Sequence, residues 1–473
     1  MMIILLRTNF ISVRILNALL LLALLVACLQ RAQAALPNKD EKPNIIIIMA
    51  DDLDSKQLSC YGGVNIKTKY IDQLASEGMK FNTLVASEAM CVPTRASLFT
   101  GLYPARHGAY QNHKQVYPEL KSIIHYLNAV GYRVGLAGKD HVTKPVSIFP
   151  FDRVGGFEPN CVSQTDNYTL DSVRSYIKQE DPFCLFVMSI NPHAPWTVGD
   201  PTEFDPSKLK LPPHWVDTDL TRRQFCNYLA EIRRLDNQVG DIINVLKETG
   251  KEDNTMVIFL GEQGPQFPGG KWTLYDNGQK SSMIVKWPGE VDAGTKTDAI
   301  VQYEDIMPTL LDIAGGKSIK ALDGFSFKQV LLNKASTHRD FAYGIHNNIP
   351  EGPAYPIRSI RDLHYKYIRN LLPDSTYYIK YMMNTDKDNL AWTSWVRKAE
   401  NDKSAVPLIE RIAHRPAVEL YDLKRDPYEL NNLAENPEYR SLLEKYARQL
   451  DNWLASQGDH GIAMDVPLNK HKQ

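Results

Sequence analysis

NIIIIMADD, residues Asn44–Asp52, decides the fold of this 473-residue chain. Residues 44–50 form an apolar, mostly β-branched run with no polar alternation, the pattern of a central strand covered on both faces. It ends abruptly on two carboxylates. Similar runs recur at Arg133–Ala137, Phe183–Ile190, Thr255–Leu260 and Met283–Trp287. Between them lie stretches of helical period: Ile71–Glu77, Leu120–Val130, Arg223–Thr249 (closed by Gly250) and Glu304–Ala314 (closed by Gly315). Strand–helix alternation of this length predicts a doubly wound α/β domain, a large sheet sandwiched by helices, over residues 35–337. After about Thr337 the strands shorten (Phe341–His346, Ile357–Arg361, Lys366–Arg369, Val418–Leu423) and a helix follows over Pro437–Gln457. That texture predicts a smaller C-terminal α+β subdomain, residues 338–473, with a small antiparallel sheet.

Hydrophobic residues make up 43% of the chain and charged residues 23%, the balance of a globular protein. Disorder, a collagen-like repeat and a multi-span membrane protein are excluded. The net charge of −1 supplies no positive field for a phosphate backbone, so nucleic acid is not an expected partner. Residues 1–34 hold Arg7, Arg14 and Arg31, no acidic residue, and an apolar core too short to span a bilayer comfortably, which reads as a secretory signal. Two exits compete: cleavage at Ala32-Gln33-Ala34, or a lipobox at Leu25–Cys28 that would leave a lipid anchor. Export to the periplasm or the medium is expected in the first case, an outer-membrane lipoprotein in the second. Cleavage after Ala34 takes the net charge from −1 to −4. Asn167-Tyr168-Thr169 is a glycosylation sequon if the host is eukaryotic.

Ligands of open α/β sheets bind beyond the carboxyl ends of the strands. Read there, the sequence gives Asp51-Asp52, then Gly138-Lys139-Asp140-His141, then Asn191-Pro192-His193-Ala194-Pro195, then Gly261-Glu262-Gln263-Gly264. Any one of these is unremarkable in a turn. Together they put oxygen ligands for a hard cation beside a lysine and two histidines suited to an anionic substrate and proton transfer. Cys91-Val92-Pro93-Thr94-Arg95 places Cys91 at a helix start, where the dipole and free N–H groups favour an anion. Cys91 is therefore a candidate nucleophile with Arg95 in reach, against the plainer reading of a buried structural thiol.

The segment CVPTRASLFTGLYPARHG resembles the sulfatase signature C-x-P-x-R. The resemblance continues in PNIIIIMADD, GKDH, NPHAP, GGKWTLYDNG and the tail ELYDLKRDPYELNNLAENPEY, so it covers nearly the whole mature chain. It implies the alkaline-phosphatase-like sulfatase fold, with a large mixed sheet sandwiched by helices, and hydrolysis of sulfuric esters. Within the family, GKDHV and EQGPQFPGGKWTLYDNG are most similar to the heparan N-sulfatase (sulfamidase) branch and its bacterial relatives. The family resemblance implies that a maturing enzyme converts Cys91 to formylglycine, whose hydrated aldehyde attacks sulfur and passes through a sulfate hemiacetal. By the same resemblance Asp51, Asp52, Glu262, Gln263 and modified Cys91 hold calcium, with magnesium less favoured. Arg95 polarises the hydrate, and Lys139 and Lys271 grip sulfate oxygens. His141 deprotonates the formylglycine hydroxyl, and His193 faces the leaving group as a general acid, with or without Lys271.

One departure stands out. Where most sulfatases carry Asp-Asn-Gly or Asp-His-Gly, this chain has Glu262-Gln263-Gly264, each ligand one methylene longer. The expected substrate is a sulfated oligo- or polysaccharide, cleaved at an O- or N-sulfate. Two other readings of the same residues are a phosphatase or phosphodiesterase of this superfamily with an unmodified nucleophile, and a non-catalytic glycan-binding relative. Loops around His107, Asn160–Asp166, Trp196 and His346-Asn347 are expected to form the rim. Trp196, Trp272 and Tyr275 suit either sugar stacking or core packing, and Cys60, Cys161, Cys184 and Cys226 are left for structural roles, including disulfides.

Overall fold

A computed structural model describes residues 42–179 and 182–464. The export segment with Cys28, and Lys470 and Lys472, lie outside the described residues. NIIIIM forms β1 (Asn44–Met49), buried throughout. Its side chains alternate between faces: Ile46 and Ile48 join an apolar cluster with Phe225 and Leu229, Ile45 and Ile47 a second one with Leu98 and Leu310. Helices therefore cover both faces of this strand, as its unbroken apolar run requires.

β1 pairs in parallel with β5 (Phe183–Met188) on one side and β6 (Thr255–Leu260) on the other, with Ile47 opposite Phe186 and Ile258. The sheet has nine strands in the order β4 (Asp152–Val154), β3 (Arg133–Gly138), β5, β1, β6, β7 (Lys280–Lys286), β2 (Met79–Val85) and β8 (Thr295–Thr297), with β9 (Val301–Gln302) also on β2. It is mixed, because β7 runs antiparallel to both β6 and β2. No crossover helix separates β6 from β7. The chain returns along the same edge through residues 261–279, and a strand reached that way must run backwards. That return loop carries Glu262, Gln263 and Lys271. β2 (MKFNTLV) gave no sequence signal because Lys80, Asn82 and Thr83 interrupt its apolar positions.

Among the helices, α1 (Lys69–Glu77) precedes β2, α2 (Cys91–Thr100) follows it, and α3 (Ile123–Ala129) leads into β3. α4 (Asp171–Ile177) precedes β5. α5 runs 30 residues, Asp219–Glu248, and starts earlier than the periodic pattern because Thr218 caps it, accepting from the Thr221 N–H. α6 (Ile306–Ile313) packs on the other face. The C-terminal part is a four-stranded antiparallel sheet, β10 (Ala342–His346), β11 (Ile357–Arg361), β12 (Tyr365–Asn370) and β13 (Val418–Asp422). Two helices unforeseen from the sequence, α7 (Ala391–Asn401) and α8 (Val406–Ala413), lie between β12 and β13. α9 (Arg440–Gln457) packs Tyr446, Leu450 and Trp453 against Ile360 and Leu420. Trp392, Trp395 and Ile412 belong to the same apolar cluster as β1, so one core runs across the junction near residue 337.

Ionic contacts reinforce that junction. Lys366 Nζ lies 2.5 Å from Asp276 and 3.2 Å from Glu429, and Arg361 lies 2.7 Å from Asp276, all buried. Lys366→Met removes one partner from two buried carboxylates and should cost about 3–5 kcal/mol, read from the midpoint of urea unfolding. Glu304 is a second buried acid, accepting from Ser87 Oγ at 2.5 Å just behind the α2 start. Burial raises its carboxyl from 4.5 to about 7. The folded state thus holds this proton more tightly than the unfolded chain, a stabilisation complete below about pH 4.5 and lost as pH rises through about 7. Glu304→Gln should accordingly gain thermal stability over the native protein between pH 5 and pH 8; a constant difference across that range would refute the assignment.

Candidate active site

β3, β5, β1 and β6 are neighbours, so their carboxyl ends open together on one edge of the sheet. Asp51 and Asp52 follow β1, Lys139 and His141 follow β3, His193 follows β5, and Glu262, Gln263 and Lys271 follow β6. Cys91 arrives from the next segment, as the first residue of α2. The structure thus brings every expected site residue to one place. Gly138 (φ 85°) makes the turn that delivers Lys139; a Cβ there would meet the Met188 carbonyl at 2.1 Å. Two non-glycine residues adopt left-handed conformations at the same spot, Asp52 (φ 56°) and Trp272 (φ 69°). For a bulky side chain this costs on the order of 1–3 kcal/mol, and such strain concentrates where a side chain must be aimed. Here it aims Asp52 and Lys271 at each other, Nζ to Oδ2 2.8 Å.

Three carboxylates, Asp51, Asp52 and Glu262, are fully buried beside three buried cations, Arg95, Lys139 and Lys271. Lys139 Nζ is 2.5 Å from Asp51 Oδ2, and Arg95 Nε is 2.5 Å from Glu262 Oε1. The lysines thus close on the carboxylates, so their charges hold the ligand cluster before they meet any sulfate. Burial pushes the Asp51 carboxyl up, but Lys139 and His193 outweigh it and hold it well below the usual range. Burial opposes charge on Lys139 and Lys271, yet Asp51 and Asp52 respectively raise both above an ordinary lysine. The cluster thus sets three acidic side chains against three basic ones, each acid with a cation beside it.

The Sγ atom of Cys91 lies 3.6 Å from Asp51 Oδ1 and 4.0 Å from Asp52 Oδ1. Ligating atoms of Asp51, Asp52, Cys91 and His193 all fall within 4.8 Å of one another. Glu262 stands one step back, with Oε1 on Arg95 and Oε2 accepting from Gln263 Nε2 at 3.1 Å. Gln263 Nε2 also lies 2.5 Å from Asp52 Oδ1, while its Oε1 is buried without a hydrogen-bond partner. Carboxylate oxygens and an unpartnered amide oxygen make a donor set that fits a hard divalent cation. Burial, then Glu262, pushes the Cys91 thiol well above its ordinary value, so it is a neutral S–H and a poor nucleophile as it stands.

Both histidines are neutral. Burial lowers His193, and the nearby Lys271 outlasts it as the charged partner, Nζ to Nε2 3.3 Å. His193 Nδ1 donates to the Ala194 carbonyl at 2.5 Å, which leaves Nε2 as the acceptor facing Lys271. Burial, followed by Lys139 and Arg95, lowers His141 far below an ordinary histidine. Its Nε2 lies 3.3 Å from the Sγ of Cys161. Cys161, left from sequence for a structural role, therefore sits within the site; its loop, Asn160–Asp166, was expected at the rim, but spacing could not connect the thiol to His141.

The loops expected at the rim reach the cavity, through Asn112 and His113 beyond His107 and through Glu351 beyond Asn347, but several residues named there do not. His107 is fully buried, 3.3 Å from Ser97 Oγ of α2, and His346, the last residue of β10, is buried with Asn347. Asp166 is buried too, accepting from Asn191 and Gln238 at 2.7 Å each. Tyr275 is core, its hydroxyl donating to Glu419 at 2.8 Å. The described cysteines, including Cys60, Cys161, Cys184 and Cys226, are all free thiols. Asn160, Val162, Trp196 and Trp272 do line the cavity, although Trp196 is held against Phe267, ring centroids 4.6 Å apart.

That cavity has a volume of about 1240 Å³ and opens directly onto Cys91, His141, His193 and Lys271. Residues 43–316 match the sulfatase family, and residues 269–394 match the C-terminal family of N-sulphoglucosamine sulphohydrolase. An ulvan-active sulfatase of Formosa agariphila is 34% identical over 89% of this chain and 81% of its own. Human N-sulphoglucosamine sulphohydrolase is 28% identical over 87% of this chain and 89% of its own. Among solved structures, BT4656 in complex with its substrate D-glucosamine-2-N,6-O-disulfate superposes with a TM-score of 0.68 at 20% identity, covering 89% of this chain and 99% of that one, which supports the fold. With the signature cysteine, the carboxylate cluster and the flanking cations converging at one sheet edge, the chain belongs to the sulfatase family and is a sulfuric ester hydrolase.

Proposed function

We propose that this sulfatase is an exported enzyme that removes sulfate from a sulfated oligo- or polysaccharide, using formylglycine made from Cys91 by a formylglycine-generating or sulfatase-maturing enzyme. One observation carries the reading: a neutral, buried thiol opens an anion-favouring helix, 3.6 Å from Asp51, at the floor of a cavity large enough for more than one sugar. As a thiol it cannot serve, because its ionised form is suppressed. As formylglycine it would supply a hydrated aldehyde hydroxyl as nucleophile, and calcium held by Asp51, Asp52, Glu262 and Gln263 would supply positive charge to the sulfate oxygens. Ulvan and glucosamine sulfates are the substrates suggested by the names of its relatives.

The chain's own groups then divide the work. Arg95, fixed by Glu262, keeps Nη1 and Nη2 buried without a hydrogen-bond partner, one helical turn on from residue 91 and with Nη2 3.9 Å from Asp51. Lys139 and Lys271 lower the energy of charge that builds on sulfate as the S–O or S–N bond breaks. The leaving group needs a proton, and Lys271 Nζ carries one to donate to it; neutral His193 accepts a hydrogen bond from the same ammonium at Nε2 and orients it. His141, neutral and buried, is the base that takes the proton from the residue-91 hydroxyl when sulfate is expelled.

Cys91→Ala should abolish hydrolysis of 4-methylumbelliferyl sulfate and of sulfated saccharides, and peptide mass spectrometry of active enzyme should show residue 91 as formylglycine. Unmodified cysteine in active enzyme would instead favour the phosphatase-like reading. Lys139→Ala, His141→Ala and His193→Ala should each lower kcat/KM on the order of 10²-fold or more while the protein stays folded. Near-native rates in all three would refute the site. Calcium should raise the unfolding temperature in proportion to log concentration above its Kd, and Asp52→Asn should remove that dependence; an unchanged calcium response in the variant would exclude this cluster as the cation site.

A further inference from the structure

The reacting groups occupy only the inner end of the cavity. Its outer end lies along the first turns of α5, where Leu220, Arg223, Gln224 and Asn227 face inward at the i, i+3, i+4, i+7 spacing of one helix stripe. That stripe gives about 10 Å of wall beyond the sulfate-cleaving end. Gln224 Nε2 donates to the Asn389 carbonyl at 2.6 Å and ties this wall to the segment before α7. Tyr381, half exposed, lines the same cavity.

The charges here are uneven. Arg222 is committed, Nε to Asp217 at 2.6 Å. Its neighbour Arg223 is exposed and has no ion pair or hydrogen bond among the described residues. Asp205, the acid on the same wall, is taken by Lys208 at 3.0 Å and by Ser207. Glu351, nearer the inner end, is held by Asn112 at 2.7 Å, with His113 3.9 Å away. Among the described residues, the cavity lining thus offers one guanidinium without an ion pair, an exposed aromatic ring and amide side chains; Asp205 is engaged, while Glu351 keeps Oε2 buried without a hydrogen-bond partner.

We infer that the outer cavity is a second sugar subsite, in which Arg223 pairs with an anionic group, carboxylate or sulfate, on the residue next to the one being desulfated, while Tyr381 supports that sugar's ring. This rests on the reading above of a sulfated glycan as substrate. A planar guanidinium holds carboxylate and sulfate oxygens in the same two-point geometry, so the surface selects an acidic oligosaccharide over a neutral one.

The test compares uronate-bearing sulfated oligosaccharides from ulvan and heparan sulfate, the same fragments after carboxyl reduction, and 4-methylumbelliferyl sulfate, which is too short to reach Arg223. Arg223→Gln should lower kcat/KM for the acidic oligosaccharides about tenfold relative to the aryl sulfate, mainly through KM, with Arg223→Lys intermediate and Tyr381→Ala similarly impaired. A native preference and an Arg223→Gln effect that both disappear on carboxyl reduction identify the carboxylate as the partner; persistence identifies a second sulfate. An unchanged ratio in Arg223→Gln overturns the subsite while leaving the sulfatase reading intact. Failure of the native enzyme on every sulfate ester overturns the substrate reading instead. In that event, calorimetric binding of the same fragments to Cys91→Ala decides the subsite, and equal affinity with and without Arg223→Gln overturns it.

Discussion

Three carboxylates cannot remain ionised in the interior of a protein without compensating charge, because removing each from water costs several kcal/mol. Asp51, Asp52 and Glu262 meet that condition through Lys139, Lys271 and Arg95, one cation each. Much of the architecture follows. β1 and β6 must be adjacent to bring the acids together, β3 must flank β5 to deliver Lys139, and the β6–β7 connection must double back to return Lys271. The left-handed conformations of Asp52 and Trp272 are where the chain bends to satisfy this geometry. A cluster balanced at zero charge becomes net positive when it takes a divalent cation, which is the state that suits a sulfate monoester.

This also resolves the contrast between a near-neutral chain and an acidic polymer as substrate. The chain carries 54 basic and 55 acidic residues, so no global field draws a polyanion in. On the reading proposed above, attraction is local, at the proposed cation site and at Arg223, which has no ion pair among the described residues. Long-range steering is weak in such an arrangement, and selectivity rests on contacts made after the glycan has entered the cavity.

The strands that carry the site were legible because burial on both faces leaves an unmistakable apolar run: β6 and β11 match residue for residue, and β1, β3 and β5 differ only at their ends. Strands with one wet face were harder, and β2 escaped notice. The reversal of β7 was invisible because direction depends on the connection, which has no period. Local sequence located Asp51, Lys139 and His193 through their place after strands. It could not locate Cys161 or Arg223, since one belongs to a loop and the other to a helix face whose neighbours are set by tertiary packing. The loops around His107 and His346-Asn347 do reach the cavity, through Asn112, His113 and Glu351, but His107, His346 and Asn347 themselves are buried, since which side chain of a loop faces the cavity is set by tertiary packing.

The Glu262-Gln263 pair, the chain's departure from the family pattern, has a structural account. A glutamate at 262 reaches Arg95 Nε with one oxygen and Gln263 with the other. An aspartate on the same backbone would fall about one C–C bond short of the guanidinium and leave a buried arginine with weaker support. Arg95 has no other hydrogen-bonded anion, as Asp51 stands 3.9 Å away. The longer acid thus fixes the arginine beside residue 91, and the longer amide keeps an unpartnered oxygen in the carboxylate cluster. Both substitutions preserve the charge and the donor chemistry that catalysis requires, so the altered motif reads as a compensated site whose parts are joined through Arg95.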